Sequence, residues 1–195
     1  MAYLPVEAAR NHCYLNVADG VLRRRMEGGI KEDFGGFVGT ITGLRVKPDS
    51  YNGKPFTKLE MRMQDLRNPD EPAAIISMTL YTGDGEVTTF SRMLVARLVN
   101  RANDIKRGDE LEISVYARGQ ASCAALRRRG QEEALPGEPM FTERKHDRKN
   151  LRVMMDKAIA KLIEIHGVFG TQDTDPRDEE TEPEPPMIDD EDLPF

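Results

Sequence analysis

Cations alternate with aromatic side chains through much of the sequence between residues 45 and 145. Lys and Arg side chains can neutralise phosphates, and flat aromatic side chains can stack on unpaired bases. This combination of residue types is what single-stranded nucleic acid requires of a protein that binds it. The candidate DNA-binding residues are Arg45, Lys47, Tyr51, Lys54, Phe56, Lys58, Arg62, Tyr81, Tyr116, Arg118, Arg127, Arg128, Arg129, Phe141 and Lys145.

Several of these candidates also have an ordinary structural explanation. Phe56 could lie at the edge of a core, and Tyr81 and Tyr116 could cover a sheet. The three arginines at 127–129 could belong to a solvated loop, although three adjacent cations flanked by glycine favour phosphate contact. Tyr51 is the strongest aromatic candidate, because an exposed aromatic at the tip of a predicted turn has little structural purpose.

The last seven residues form a second chemical feature. Acidic side chains precede an apolar end, and the final Phe carries the free α-carboxylate. Such an end can fill an apolar pocket on a partner, while the acids steer it towards a basic surface. The alternative is an acidic solubility tail. The candidate partner-binding residues are Asp189, Asp190, Glu191, Asp192, Leu193, Pro194 and Phe195.

The order of these residues, Asp-Asp-Glu-Asp-Leu-Pro-Phe, resembles the C-terminal tip of bacterial single-stranded DNA-binding proteins. The resemblance implies that Pro194 and Phe195 occupy a pocket on replication, recombination or repair enzymes. It also implies sequence-nonspecific binding and protection of single-stranded DNA. The body has no Trp, and with its Tyr-Leu-Asn-Val-x-Asp-Gly opening at residue 14 it looks like the divergent versions carried by bacteriophages or mobile elements.

The net charge of −6 hides a strong segregation of charge along the chain. Residues 171–195 hold eleven acids and one base, a net charge of −10, and subtracting this from −6 leaves +4 for residues 1–170. A basic body with an acidic tail suits a polyanion binder whose tail competes for the same groove. A net charge of +4 is also compatible with an ordinary near-neutral domain.

Cysteine and histidine usage argues against a disulfide framework and a structural zinc site. The only cysteines are Cys13 and Cys123, and none of the three histidines has metal-ligand spacing with them. We therefore expect no metal and no cofactor. The sequence has no signal peptide and no apolar stretch of about 18 residues, which predicts a cytoplasmic protein without a membrane segment.

The elements that would position the candidate residues are mostly strands. Asp19-Gly20 predicts a β-hairpin between arms at 14–18 and 21–25, because Asp-Gly is a strong two-residue turn signal. Alternating patterns predict further strands at 37–46, 56–66, 73–81 and 111–118, with a turn at 48–55 between the first two. Thr88 or Thr89 is expected to cap a helix that ends near Asn100.

Three strands, a helix and a further strand is the order of an OB-fold. We therefore expect a mainly β protein: a five-stranded Greek-key OB-fold barrel with one helix and a disordered acidic C-terminal tail. The predicted closing strand is 151–155, which we favour over a single helix from 147 to 166, and 119–139 is expected to be a loop. The predicted divisions are an N-terminal hairpin extension (1–33), the OB-fold domain (34–168) and the tail (169–195).

The leading functional prediction is a protein that coats single-stranded DNA and is not an enzyme. Assembly into homo-oligomers is compatible with this prediction. The main alternative is a protein-interaction module whose tail occupies the pocket of a host enzyme without DNA binding. A nuclease that uses Glu60 and Asp65 with Mg²⁺ is disfavoured, because no catalytic motif frames these residues. An RNA-binding barrel remains open, since stacking surfaces distinguish the two sugars poorly.

Overall fold

The computed structural model describes residues 12–25, 30–142 and 148–169. These residues form a mixed β-sheet with helices on it, and the prediction of a mainly β protein is confirmed. The predicted tail, residues 170–195, lies outside the described residues. The elements are β1 His12–Ala18, β2 Val21–Arg25, β3 Lys31–Phe34, β4 Gly36–Tyr51, β5 Lys54–Gln64, β6 Ala73–Tyr81, α1 Thr89–Val99, β7 Glu110–Arg118, β8 Ala121–Arg128, α2 Pro139–Thr142 and α3 Arg148–His166.

The eight strands found in the described residues follow the order β3-β2-β1-β6-β5-β4-β7-β8. The predicted hairpin is confirmed as β1 and β2, and its turn residues Asp19 and Gly20 have φ values of 52° and 78°. The hairpin is part of the main sheet, because β1 runs parallel to β6 and pairs with it. Within the described residues no ladder joins the two edge strands, so a closed five-stranded barrel is not confirmed.

Strands β4 and β5 form a long antiparallel pair that extends past the rest of the sheet. The predicted turn at 48–55 is too long, because the ladder continues to Tyr51↔Lys54 and only Asn52-Gly53 forms the turn. Pairing of β5 with β6 stops at Thr57. Pro48 and Pro55 are tolerated there because a proline needs a strand edge where no ladder donor is required. We call residues 47–58 the arm.

The predicted helix is confirmed as α1, with Thr88 as its N-cap accepting a hydrogen bond from the Ser91 N–H. The core lies between one face of the sheet and helices α1 and α3, and it includes Met61, Leu94 and Leu162. None of the helices in the described part of the chain is long and apolar enough to cross a membrane.

The predicted closing strand at 151–155 is wrong, because this segment is the first part of α3. Met155, Ile159, Leu162 and His166 recur at helical spacing and are all buried. Five residues of this pattern fit a strand as well as a helix, and burial of the longer stripe against the sheet decides for the helix.

The predicted loop at 119–139 is also wrong over its first part, which contains β8. This strand pairs with β7 from Arg118↔Ala121 to Leu111↔Arg128. Its central residues, Cys123 to Leu126, are buried, and Ala124 and Leu126 belong to the core into which α1 packs. Alanine has a low strand propensity, so the sequence pattern did not reveal a strand whose small side chains allow a helix to pack closely.

Candidate nucleic-acid interface

One face of the arm carries most of the cations and aromatics predicted for β4 and β5. The register pairs Lys47 with Lys58, residue 49 with Phe56, and Tyr51 with Lys54. Directly opposite residues of an antiparallel pair project from the same side, so these side chains share one face. Tyr51 is 73% exposed at the tip, Lys54 is exposed, and the other four residues of these pairs are partly buried.

Asp49 is the one acid on this face and the residue that the sequence analysis missed. It forms an ion pair with Lys58, whose ammonium lies 5.7 Å from the centroid of the Phe56 ring. Burial alone would raise the pKa of the Asp49 carboxyl, but Lys58 and the Ser50 backbone N–H hold it below its usual value. Asp49 is two residues from both Lys47 and Tyr51, and this spacing of a strand face is the sequence signal that could have identified it. Three lysines and one aspartate leave the arm face with a net charge of +2.

On the same face of β4 and β5, the side chains next to the arm are buried and not open to a ligand. Arg45 donates from Nε to Oε2 of Glu60 over 2.5 Å, and its guanidinium lies 4.7 Å from the ring centroid of Phe169. The Glu60 side chain is only 2% exposed. Because Arg45 is held in this buried pair, it is not presented to solvent as a phosphate ligand. Arg62, farther down β5, is partly buried.

Tyr81 is 4% exposed and does not lie on the arm face, so the prediction that its ring is open to a base is wrong. The β5–β6 register shifts between Thr57 and Lys58, which places Tyr81 opposite Thr57 and turns its side chain towards α3. Its hydroxyl donates to Oδ1 of Asp156 over 2.5 Å, and Arg152 covers its ring. Burial and the Asp156 carboxylate both raise the pKa of Tyr81.

Phe141 is also buried rather than presented to a ligand. It is 2% exposed and belongs to the core, where the short helix α2 contacts α1. The predicted base contact at Phe141 is therefore wrong, since a fully packed ring has no face open for stacking.

The three adjacent arginines lie at the end of β8 and just after it, and each has an acidic partner. Arg127 Nη1 donates to Ser114 Oγ over 2.8 Å and lies 3.5 Å from Glu112. Arg128 and Arg129 pair at 2.8 Å with acids just before and at the start of β7. Their charges are locally balanced, so the prediction of an open cationic loop here is wrong.

Asp109, the partner of Arg128, shows how firmly this region is bonded. Arg128 also donates to the backbone carbonyls of Asn103 and Asp104. Burial alone would raise the pKa of the Asp109 carboxyl, but the Lys106 N–H and Arg128 lower it. These contacts tie the start of β7 to the end of β8 and explain why this arginine is needed structurally.

Tyr116 and Arg118 are exposed, but they lie far from the arm along the sheet. They follow Ser114, which pairs with Gly36 at the beginning of β4, whereas the arm is the other end of that strand. The predicted DNA-binding residues that remain accessible therefore form two groups, which are the arm face and the pair of Tyr116 and Arg118. Lys145 and the segment 189–195 lie outside the described residues.

The two carboxylates considered for a nuclease already have structural roles. Glu60 is buried with Arg45, and Asp65 accepts hydrogen bonds from the Arg67 backbone N–H and the Asn68 side chain in a turn. In the ranges that the structure describes, no group of three or more His, Cys, Asp or Glu side chains is arranged to hold a metal ion.

The strongest candidate site is therefore the face of the arm, defined by its own geometry. Protein-family models, curated protein sequences and solved structures gave no match to this chain.

Proposed function

We propose that this protein binds single-stranded DNA without sequence preference and protects it during replication, recombination or repair, without catalysing a reaction. The observation that carries the proposal is the arm face, where Lys47, Lys54 and Lys58 share one side of the strand pair with two aromatic rings. Cations beside exposed rings are the combination that binds a splayed strand.

The spacing of the two rings suits neighbouring bases. Phe56 lies opposite Asp49, and Tyr51 follows Asp49 by two residues on the same face, so the rings are diagonal neighbours. Diagonal positions in an antiparallel pair are about 7–8 Å apart, within reach of aromatic side chains. Each stacked base contributes about 1–3 kcal/mol, and neutralised phosphates add a salt-dependent term.

The arrangement of β4 to β8 supports an OB-like architecture for this function. The order β6-β5-β4-β7-β8, with α1 between β6 and β7, is that of an OB-fold opened between its third and fifth strands. The hairpin β1–β2 occupies the place beside β6. We therefore assign the arm to the first hairpin of such a fold, which commonly contacts the strand.

The C-terminal segment supplies the second half of the proposal. Asp189 to Phe195 would recruit replication, recombination or repair enzymes, with Phe195 in a partner pocket. This part depends on the sequence of the tip. Deletion of Leu193, Pro194 and Phe195 is expected to abolish capture of such enzymes and to leave DNA affinity unchanged.

The first test is a fluorescence-anisotropy titration of a labelled poly-dT strand and of a matched duplex, each at low and moderate salt. We expect tight binding of the single strand, weak binding of the duplex, and weaker binding of both as salt increases. Equal affinity for both would contradict the proposal. A ribose strand in the same assay separates DNA preference from general single-strand binding.

The alternative is a protein-interaction module whose tail mimics the tip. The buried Arg45–Glu60 pair and the balanced arginines of β8 favour it, because they leave fewer open cations than the sequence suggests. It predicts no binding to any oligonucleotide at low salt, together with full capture of the tip's enzyme partner.

A further inference from the structure

Strand β3 is an exposed edge of the sheet with a self-complementary sequence. All four of its residues, Lys31 to Phe34, are exposed, and among the described residues β2 is the strand that pairs with it. Phe34 is 39% exposed and Ile30, just before the strand, is 63% exposed. An edge strand presents unpaired backbone N–H and C=O groups that another strand can bind.

A second copy of this chain is the occupant that the side-chain pattern favours. In a two-fold antiparallel pair, opposite residues must share a face, so a residue rather than a bond lies on the symmetry axis. With Glu32 on the axis, Lys31 faces Asp33 of the other copy twice and Ile30 faces Phe34 twice.

The neighbouring registers are unfavourable. An axis at Lys31 or at Asp33 places two like charges together, and although Arg23 pairs with Asp33 within each copy, neither register forms an opposite-charge pair between the two β3 strands. The axis at Glu32 also places like charges together, but each Glu32 lies directly opposite Arg24 on β2, with 3.9 Å between the charged atoms. The two arginines would compensate the two glutamates.

We propose that the protein forms a two-fold dimer by antiparallel pairing of β3 with β3 of a second copy, with Glu32 on the axis. The pairing continues the sheet across two protomers. It covers the exposed Ile30 and Phe34 side chains. Because the shared strand is only four residues long, the dimer is weak and depends on protein concentration.

Cysteine crosslinking tests the register directly. Residues opposite each other in an antiparallel pair have Cα atoms about 4.5–5.5 Å apart, which suits a disulfide. Glu32→Cys should therefore form a covalent dimer under mild oxidation, above the level given by the natural Cys13 and Cys123 of the unmodified chain. Ile30→Cys alone should not, because its own copy lies about 13 Å away. A mixture of Ile30→Cys and Phe34→Cys should crosslink.

Charge reversal tests the energetics by sedimentation velocity. Lys31→Glu should weaken dimerisation about tenfold, since it turns two attractive pairs into repulsive ones. Asp33→Lys should also weaken it, and it removes the ion pair of Asp33 with Arg23 of the same chain as well. An equimolar mixture of the two variants should restore a heterodimer with two complementary charge pairs. Lys106→Glu, an exposed lysine far from β3 in sequence, is the control.

The outcomes are distinguishable. Absence of a dimer at the highest attainable concentration, or a Lys31→Glu variant that dimerises like the unmodified chain, would overturn the proposal. So would crosslinking of Ile30→Cys alone at the level of Glu32→Cys, because it would place a different register at the interface. Circular dichroism on each variant separates loss of pairing from loss of folding.

Discussion

Exposure and ion pairing divide the cations of this chain into two groups. Arg45 and Arg128 are held by acids in partly or fully buried positions and stabilise the fold, since a buried charge requires a partner. Lys54 is exposed beside Tyr51, where a phosphate can reach it. The residue type alone therefore does not identify the ligand contacts; the partner and the exposed surface do.

Tyr51 and Lys54 should make separable contributions to binding. Tyr51→Ala should lower single-strand affinity about tenfold or more, the equivalent of one lost stack, and leave the salt dependence unchanged. Lys54→Ala should reduce the slope of log affinity against log salt by about 0.7, the value for one phosphate of a single strand. Anisotropy titrations at several salt concentrations measure both effects.

Tyr116→Ala is the matched control, because this tyrosine is also exposed but lies beyond the opposite end of β4. Equal losses from Tyr51→Ala and Tyr116→Ala would remove the arm as the main contact. Tyr51→Phe should retain most of the affinity, since stacking needs the ring rather than the hydroxyl.

At the scale of elements, the turn of the N-terminal hairpin packs against the end of the β7–β8 pair. The Gly20 N–H donates to Ser122 Oγ over 3.0 Å. A Cβ added at Gly20 would lie 2.4 Å from the Ala117 backbone nitrogen. The hairpin therefore bridges β6, which it pairs with, and the β7–β8 end.

Gly20→Ala should lower the free energy of unfolding by about 2 kcal/mol or more, through left-handed backbone strain and this contact. Gly53→Ala is the control: its φ is +74° but nothing lies within 4 Å of the added Cβ. It should cost only the strain, about 1–2 kcal/mol. Urea denaturation measures both, and equal losses would contradict the close packing of the hairpin turn.

The end of α3 carries a buried histidine with a pH-dependent consequence. His166 is 1% exposed, and neither of its ring nitrogens has a hydrogen-bond partner within the described part of the chain. Burial lowers the pKa of His166 from its usual 6.5; the positive charge of Arg107 adds to this and Asp109 opposes it.

Because the folded pKa is the lower one, the unfolded chain binds the proton first as the pH falls. The contribution of neutral His166 to the free energy of unfolding is therefore present above about pH 6.5. It is lost as the pH falls below this value, before most carboxylates titrate. His166→Gln should flatten this dependence between about pH 7.5 and 5.5 in urea titrations. An unchanged slope in the variant would assign the dependence to another group.

At the scale of the whole molecule, the end of the described chain packs beside the part of β4 that leads into the arm. The Leu44 N–H donates to the Gly167 carbonyl over 3.0 Å, and Phe169 packs against Gly43 and Arg45 on the face of β4 that continues to Lys47. Residues 171–195, with a net charge of −10, follow directly. Their negative charge is opposite to the net charge of +2 on the arm face, and this opposition is the basis for predicting competition between the segment and DNA.

Deletion of residues 171–195 changes the net charge from −6 to +4 and should raise single-strand affinity at low salt. The gain should shrink as salt increases, because screening weakens the competition. Anisotropy titrations of the full chain and the shortened chain measure it. Unchanged affinity at low salt would rule out competition by the tail.

Local chemistry in the sequence was sufficient for the centres of two turns, for α1 and for six strands of the sheet, although not for the extent of the turn between β4 and β5. Asp19-Gly20 and Asn52-Gly53 adopt positive φ values, and Thr88 caps α1, because these preferences depend only on neighbouring residues. The arm face follows from the same logic. Alternation along β4 and β5 puts Lys47, Tyr51 and Phe56 on one side once the turn sets the register.

The tertiary structure alone decided the elements and residues whose state depends on distant partners. Residues 151–155 are helical because a longer stripe is buried, and β8 exists because α1 covers its small side chains. Tyr81 turns inward because of a register shift, and Arg45 is withdrawn because Phe169 and Glu60 enclose it. Burial and pairing between residues far apart in the chain have no local signature, so only the folded chain determines which predicted side chains remain open to a ligand.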